Sequence, residues 1–255
     1  MAEYDRQTLN TRAGSAAAID EGLRSYMLRV YNYMGIGLIV TGVVAYFVNS
    51  MAIGTADNAV GQLANGTYVT QLGALLYGSP LQFVVMLSPL AFVMVLSFGI
   101  NKMSAGTAQM VFWAFAAVMG LSLSSIFLVY TGASIAKVFF ITAATFGAMS
   151  LYGYTTKRDL TQLGSFLMMG LIGLIIASVV NMFFPSGLMG FIISVVGVLI
   201  FVGLTAYDTQ KIKESYSESH GADVMAKNAI MGALSLYLDF INLFLMMLRL
   251  FGNRN

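Results

Sequence analysis

The chain has 255 residues, 58% of them hydrophobic and only 9% charged, with a mean hydropathy of +0.79. Soluble domains carry about 25% charged residues, so this composition points to a membrane protein. A net charge of +2 is too small to suggest a nucleic-acid partner. The absence of cysteine excludes disulfides, thiolate metal sites and a cysteine nucleophile.

Taken in chain order, residues 1–26 read as a polar cytoplasmic tail, with Arg6, Arg12 and Arg24 along it and Arg29 just beyond. A secretory signal would place its apolar core closer to Met1. Residues 27–252 read as one membrane domain. A spanning helix needs about 20 mainly apolar residues. Seven candidates meet this: Val30–Val48, Leu81–Ile100, Met110–Tyr130, Ser134–Tyr152, Leu163–Phe184, Leu188–Tyr207 and Ala229–Leu248. The long connections are Asn49–Pro80 and Asp208–Asn228. The predicted fold is therefore an all-α integral membrane bundle of seven helices.

Cytoplasmic segments carry an excess of Lys and Arg. With the N-terminus in the cytoplasm, the inside segments hold the four arginines named above, Lys102, Lys157, Arg158, Lys211, Lys213 and Lys227. The outside segments hold only Lys137, Arg249 and Arg254. This bias predicts a cytoplasmic N-terminus and, unless the last segment is re-entrant, an external C-terminus. Glycines recur within the spans at Gly35, Gly37, Gly42, Gly170, Gly173, Gly190 and Gly197. They predict close helix packing, since small residues let backbones approach where lipid supplies no hydrophobic drive.

Two carboxylates stand apart from the acidic residues of tails and loops. Asp239 lies well inside the seventh span, and Asp208 closes the sixth in FVGLTAYDTQK. An ionisable group at a helix centre costs about 2.5–3.5 kcal/mol on insertion scales, and such groups are functional by default. Asn228, Gly232, Ser235, Asp239 and Asn242 form one narrow polar stripe on an otherwise apolar helix. Asp208 is the natural partner of Asp239, on condition that helix six runs on past it and helix seven begins early. Two carboxylates in one low-dielectric site cannot both ionise cheaply. They would share a proton at lower pH, and repel or take up a divalent cation once it is lost. Ca²⁺ wants six to eight oxygen ligands. Asp208 and Asp239 with Ser235, Asn242, carbonyls and water would make a transient step for that ion, not a storage site.

Other signals carry less. His220 sits in the polar loop SESHGAD without companions at metal-ligand spacing. Ser134 and Lys137 match S-x-x-K, but the other motifs of that hydrolase class are missing. Asn65-Gly-Thr67 fits a glycosylation sequon, which matters only in a secretory-pathway host. There is no Gly-rich phosphate loop or Walker motif, so ATP-driven pumping is not expected, nor is a bound cofactor.

The runs GLTAYDTQKIK (Gly203–Lys213), ALSLYLDFINLFLMMLRLFG (Ala233–Gly252), LSLSSIFLVYTGASIA (Leu121–Ala136) and GAMSLYGYTTKRDL (Gly147–Leu160) resemble the Bax inhibitor-1 family, in its branch of bacterial inner-membrane proteins. The resemblance implies a central seventh helix wrapped by the other six. It also implies a pH-sensitive calcium leak, latched by an aspartate pair at the positions of Asp208 and Asp239. The family's latch can also engage a basic residue near the cytoplasmic end of helix two. Here the nearest candidate is Lys102, a lysine without arginine's bidentate fork. The connection between the aspartates is several residues longer than in the best-studied type of member, a small cost for a surface loop.

Two expectations follow from the resemblance. The first is a leak channel for Ca²⁺ or other cations, acting as a monomer in the bilayer. The alternative is an interaction protein that binds a membrane protease or stress-response partner. An intramembrane di-aspartyl protease would need two facing carboxylates, but neither lies in a Gly-x-Gly-Asp setting, and no enzymatic activity is expected.

Overall fold

The computed structural model describes residues 2–63 and 66–255, with side chains from Glu21 onward. Arg6, Arg12 and the sequon residue Asn65 lie outside the residues so described. Helix α1 spans Ala2–Ala52, so the polar stretch and the first span form one continuous helix. It is followed by β1 (Gly61–Gln62), β2 (Tyr68–Val69), α2 (Gln71–Gly78), α3 (Leu81–Gly99) and a 3₁₀ turn at Ile100–Lys102. Next come α4 (Ala105–Leu123), α5 (Ile126–Val129) and α6 (Gly132–Thr155). The chain ends with α7 (Thr161–Phe183), α8 (Gly187–Glu214) and α9 (Ala222–Phe251).

Among the described residues, seven helices are long and apolar enough to cross a membrane, and each contains most of one predicted span. The protein is a helical membrane bundle. Helices are the economical answer in lipid because they satisfy their own backbone hydrogen bonds. Their starts are marked by side chains that accept from the exposed N–H groups of the first turn. Ser104 caps α4 by accepting from Thr107 N, Thr131 caps α6 by accepting from Ser134 N, and Ser186 caps α8 by accepting from Met189 N.

Hydropathy alone misplaced several ends. Helix α8 continues seven residues past the predicted stop at Tyr207, and α9 starts at Ala222 rather than Ala229. The extension of α8 is polar yet anchored. Gln210 accepts from Leu160 N at 2.8 Å and donates to Arg158 O at 2.8 Å. Lys213 donates to Tyr154 O at 2.8 Å, and Ile212 is buried. The third span also breaks after Leu123, leaving α5 as a separate turn.

The connection after α1 is structured. Strands β1 and β2 pair antiparallel, Gly61 opposite Val69 and Gln62 opposite Tyr68. Helix α2 is tied to the end of α4 by the Tyr77 hydroxyl, which donates to Ser124 Oγ at 2.9 Å. Burial pushes the Tyr77 phenol above its ordinary pKa.

Helix α9 packs against α1, α4, α6 and α8, while α3 joins mainly through α4 and α7 through α8. Two-thirds (67%) of the most apolar window of α9 is buried, against 11–33% in the other spans. The core follows α9 through Ile230, Leu236, Tyr237, Leu243 and Leu248.

The glycine expectation needs correcting. A Cβ on Gly35, Gly42 or Gly173 would meet open space, so these positions make no close approach. Gly37 and Gly197 do sit close, a Cβ falling 3.1 Å from the Phe112 ring and 2.9 Å from Met246, while the closest backbone crossings lie at glycines outside the predicted set. At Gly153 a Cβ would collide with the backbone of Ala206, closing α6 on α8. At Gly120 it would lie 2.6 Å from Thr41 O, closing α4 on α1.

Candidate functional site

Helices α8 and α9 run antiparallel, joined by residues 215–221. Ser215 ends α8, its N–H donating to the carbonyls of Lys211 and Ile212. Helix α9 starts well beyond that end. Its Asp223 accepts from Ala105 N at 3.2 Å, fixing the first turn of α9 on the start of α4, and pairs with Lys227 at 2.7 Å. Asp239 lies seventeen residues into α9, about 26 Å along the helix at 1.5 Å per residue. Because α9 overshoots, this depth is level with Asp208, six residues before the end of α8. The condition stated from the sequence is met by both helices being longer than hydropathy indicated.

The two carboxyl groups interact side chain to side chain at hydrogen-bonding range. Asp239 is only 6% exposed, and its Oδ2 is buried with no hydrogen-bond partner. Such an orphan costs about 1–3 kcal/mol, more for a charged group. Asp208 is half-buried and opens on a cavity of about 280 Å³ between α8 and α9. Lys211, Ser215, Asn228 and Ser235 give that cavity its polar wall. Lys211 stands one turn beyond Asp208 and acts on it electrostatically. Its Nζ also lies 5.9 Å from the centre of the Tyr207 ring.

Beside the pair, hydroxyls link three helices. Thr209 donates to Thr205 O at 2.7 Å, its Oγ1 lies 3.0 Å from Ser150 Oγ, and Ser150 Oγ lies 2.6 Å from the Tyr31 hydroxyl. The Tyr237 hydroxyl lies 2.6 Å from Thr41 Oγ1, which donates to Ala116 O at 2.8 Å. Farther along α9, Phe240 meets Phe139 at 5.4 Å and Phe146 at 5.5 Å between ring centres, both edge-on. The site thus opens to a cavity on its Lys211 side and is backed by aromatic packing on the other.

The sequence-derived residues divide. Asp208, Asp239 and Ser235 come together. Asn242 does not join them: it donates to Leu238 O at 2.9 Å and lines a separate apolar groove with Leu174, Ile175 and Phe201. One helical turn past Asp239 has already rotated it toward α7. Lys102 is exposed at the 3₁₀ turn after α3 and lies outside the aspartate cavity. Helix α3 packs chiefly on α4, which keeps Lys102 away from the α8–α9 seam. The cation beside Asp208 is instead Lys211, legible as the i+3 residue of D-T-Q-K once α8 is known to continue.

Among the described residues, no group of three or more His, Cys, Asp or Glu side chains gathers around a metal position. Two carboxylates supply at most four oxygens, short of a Ca²⁺ shell.

The chain matches the family described as inhibitor of apoptosis-promoting Bax1 over residues 23–255. It is 45% identical to an uncharacterised protein of Rickettsia prowazekii over 254 residues, covering 100% of this chain and 99% of that one. It is 46% identical to the inner membrane protein YbhL of Escherichia coli strain K12 over 245 residues, covering 95% and 97%. An uncharacterised protein of Borreliella burgdorferi is 42% identical over 231 residues, covering 90% and 92%. With seven apolar helices, paired aspartates on the last two and a match along nearly all its length, the chain belongs to the Bax inhibitor-1 family of membrane proteins.

Proposed function

We propose that the protein is a pH-sensitive leak pathway for Ca²⁺ or related cations, with Asp208 and Asp239 as its latch. The carrying observation is the contact of the two carboxyls beside a polar cavity that Asp208 lines, one oxygen of Asp239 being buried without a partner. A shared proton supplies a hydrogen bond across the α8–α9 seam and removes one charge. Its loss sets two like charges in a poorly solvated site, where repulsion is strong. Helices α8 and α9 then part at their lysine-rich end, and the carboxylates become ligands for a cation entering from the cavity. Lys211 faces Asp208 from the same helix, while α6 and α1 contribute the uncharged Ser150 and Tyr31 to the nearby hydroxyl chain. Higher pH therefore opens the latch.

The remaining parts of this reading are a cytoplasmic N-terminus from the charge bias, a monomer, no enzymatic step, and a bacterial inner membrane by similarity to YbhL. Ca²⁺ entry into dye-loaded liposomes holding the purified protein tests it. Entry above empty liposomes is expected. Failure of entry at every pH, together with co-purification of a membrane protease, would support the interaction-protein reading instead.

A further inference from the structure

A cavity of about 730 Å³ lies at the end opposite the aspartates, where α7 ends, α8 begins and α9 finishes. Arg249 and Arg254 both line it, and no acidic residue does. Tyr130, Asn181, Ser186 and Ser194 add hydrogen-bonding groups to the wall. Among the described residues neither arginine has a carboxylate partner. By the charge bias, this end carries only three cations, so two of the three converge on one cavity.

Arg254 is held there by the fold. The segment after α9 turns back and lies along the α5–α6 connection, with Arg254 bridged antiparallel to Tyr130. Thr131 N donates to Asn253 O at 3.1 Å, Asn253 N to Ser134 Oγ at 2.8 Å, and Asn255 N to Val129 O at 3.0 Å. Gly252 makes the turn possible, because a Cβ there would lie 2.7 Å from the Tyr130 ring and would also strike Leu248 O. The cavity rim is apolar and exposed at Met182 and Phe191, as suits a surface facing acyl chains.

We propose that this cavity binds a phosphate-bearing anion between Arg249 and Arg254. Arginine's planar fork matches phosphate oxygens, and two of them give paired charge-assisted hydrogen bonds. The anion comes either from an anionic phospholipid headgroup or from a soluble phosphate ester; the apolar rim favours the first.

The test is thermal melting of the purified full chain in neutral detergent with added short-chain phosphatidylglycerol, glycerol 3-phosphate or phosphatidylcholine. The variants are Arg249→Gln/Arg254→Gln, Arg254→Lys, and Lys137→Gln as an exposed cation on the same end. Phosphatidylglycerol should raise the parent's Tm at about tenfold lower concentration than it does the double variant's. Lys137→Gln should behave as the parent, and Arg254→Lys should fall between. A response to glycerol 3-phosphate equal to that of the lipid assigns a soluble ligand to the same clamp. Equal responses of parent and double variant, equal loss in Lys137→Gln, or no response to either anion would overturn the proposal.

Discussion

Asp208 on α8 and Asp239 on α9 meet carboxyl to carboxyl, although one lies six residues from the end of its helix and the other seventeen from the start of its own. The offset is absorbed by the first turns of α9, which reach past α8 to the start of α4 and are fixed there by Asp223. The register of the pair thus depends on a contact some four turns away.

The pair should make stability depend on pH in the direction of its shared proton. Repulsion appears as that proton is lost, so the Tm of the parent should fall from pH 6 to pH 8. Asp239→Asn keeps the shape and a hydrogen bond but not the second charge, so its Tm should vary less over this range. A parallel fall in parent and variant would count against charge repulsion at this seam.

Separation of α8 and α9 can be followed directly, because the chain has no cysteine to interfere with labelling. Spin labels at Glu214→Cys and Ala226→Cys should give a longer or broader distance distribution at pH 8 than at pH 6. In the Asp239→Asn background the two distributions should coincide. Identical distributions in the parent would remove the moving element from the mechanism.

Tyr237 is buried on all sides, with Phe112 and Phe115 edge-on at 6.2 and 5.1 Å and its hydroxyl on Thr41. Tyr237→Phe should cost about 1 kcal/mol for the lost hydrogen bond. Tyr237→Ala should cost about 3–5 kcal/mol from the cavity left behind. Denaturation in mixed micelles gives both numbers, and equal costs would mean the hydroxyl, not the ring, sets the stability here.

Gly153→Ala should destabilise by about 1–3 kcal/mol, since its methyl group meets the Ala206 backbone and no side chain can yield. Gly173→Ala, facing open space, should stay within about 0.5 kcal/mol of the parent. Thermal melts of the two variants side by side make the comparison.

The seven spans and the aspartates were readable because both are local signals: sustained apolarity, and a charge within it. The helix ends were not. Past Tyr207 the α8 helix is carried by Gln210 and Lys213 bonding to carbonyls on the α6–α7 connection and at the end of α6, partners distant in sequence. The polar stripe of α9 misled at Asn242, because a stripe gives one face while the neighbours α7 and α8 divide that face between two environments. Lys211 was hidden by the early stop assigned to its helix. The glycines show the same limit, since periodicity finds small residues but not which of them faces a backbone.

The most direct measurement is Ca²⁺ flux into proteoliposomes stepped from pH 6 to pH 8, parent beside Asp239→Asn. The latch predicts flux that rises with pH in the parent and loses that dependence in the variant. Flux with the same pH dependence in both would contradict it.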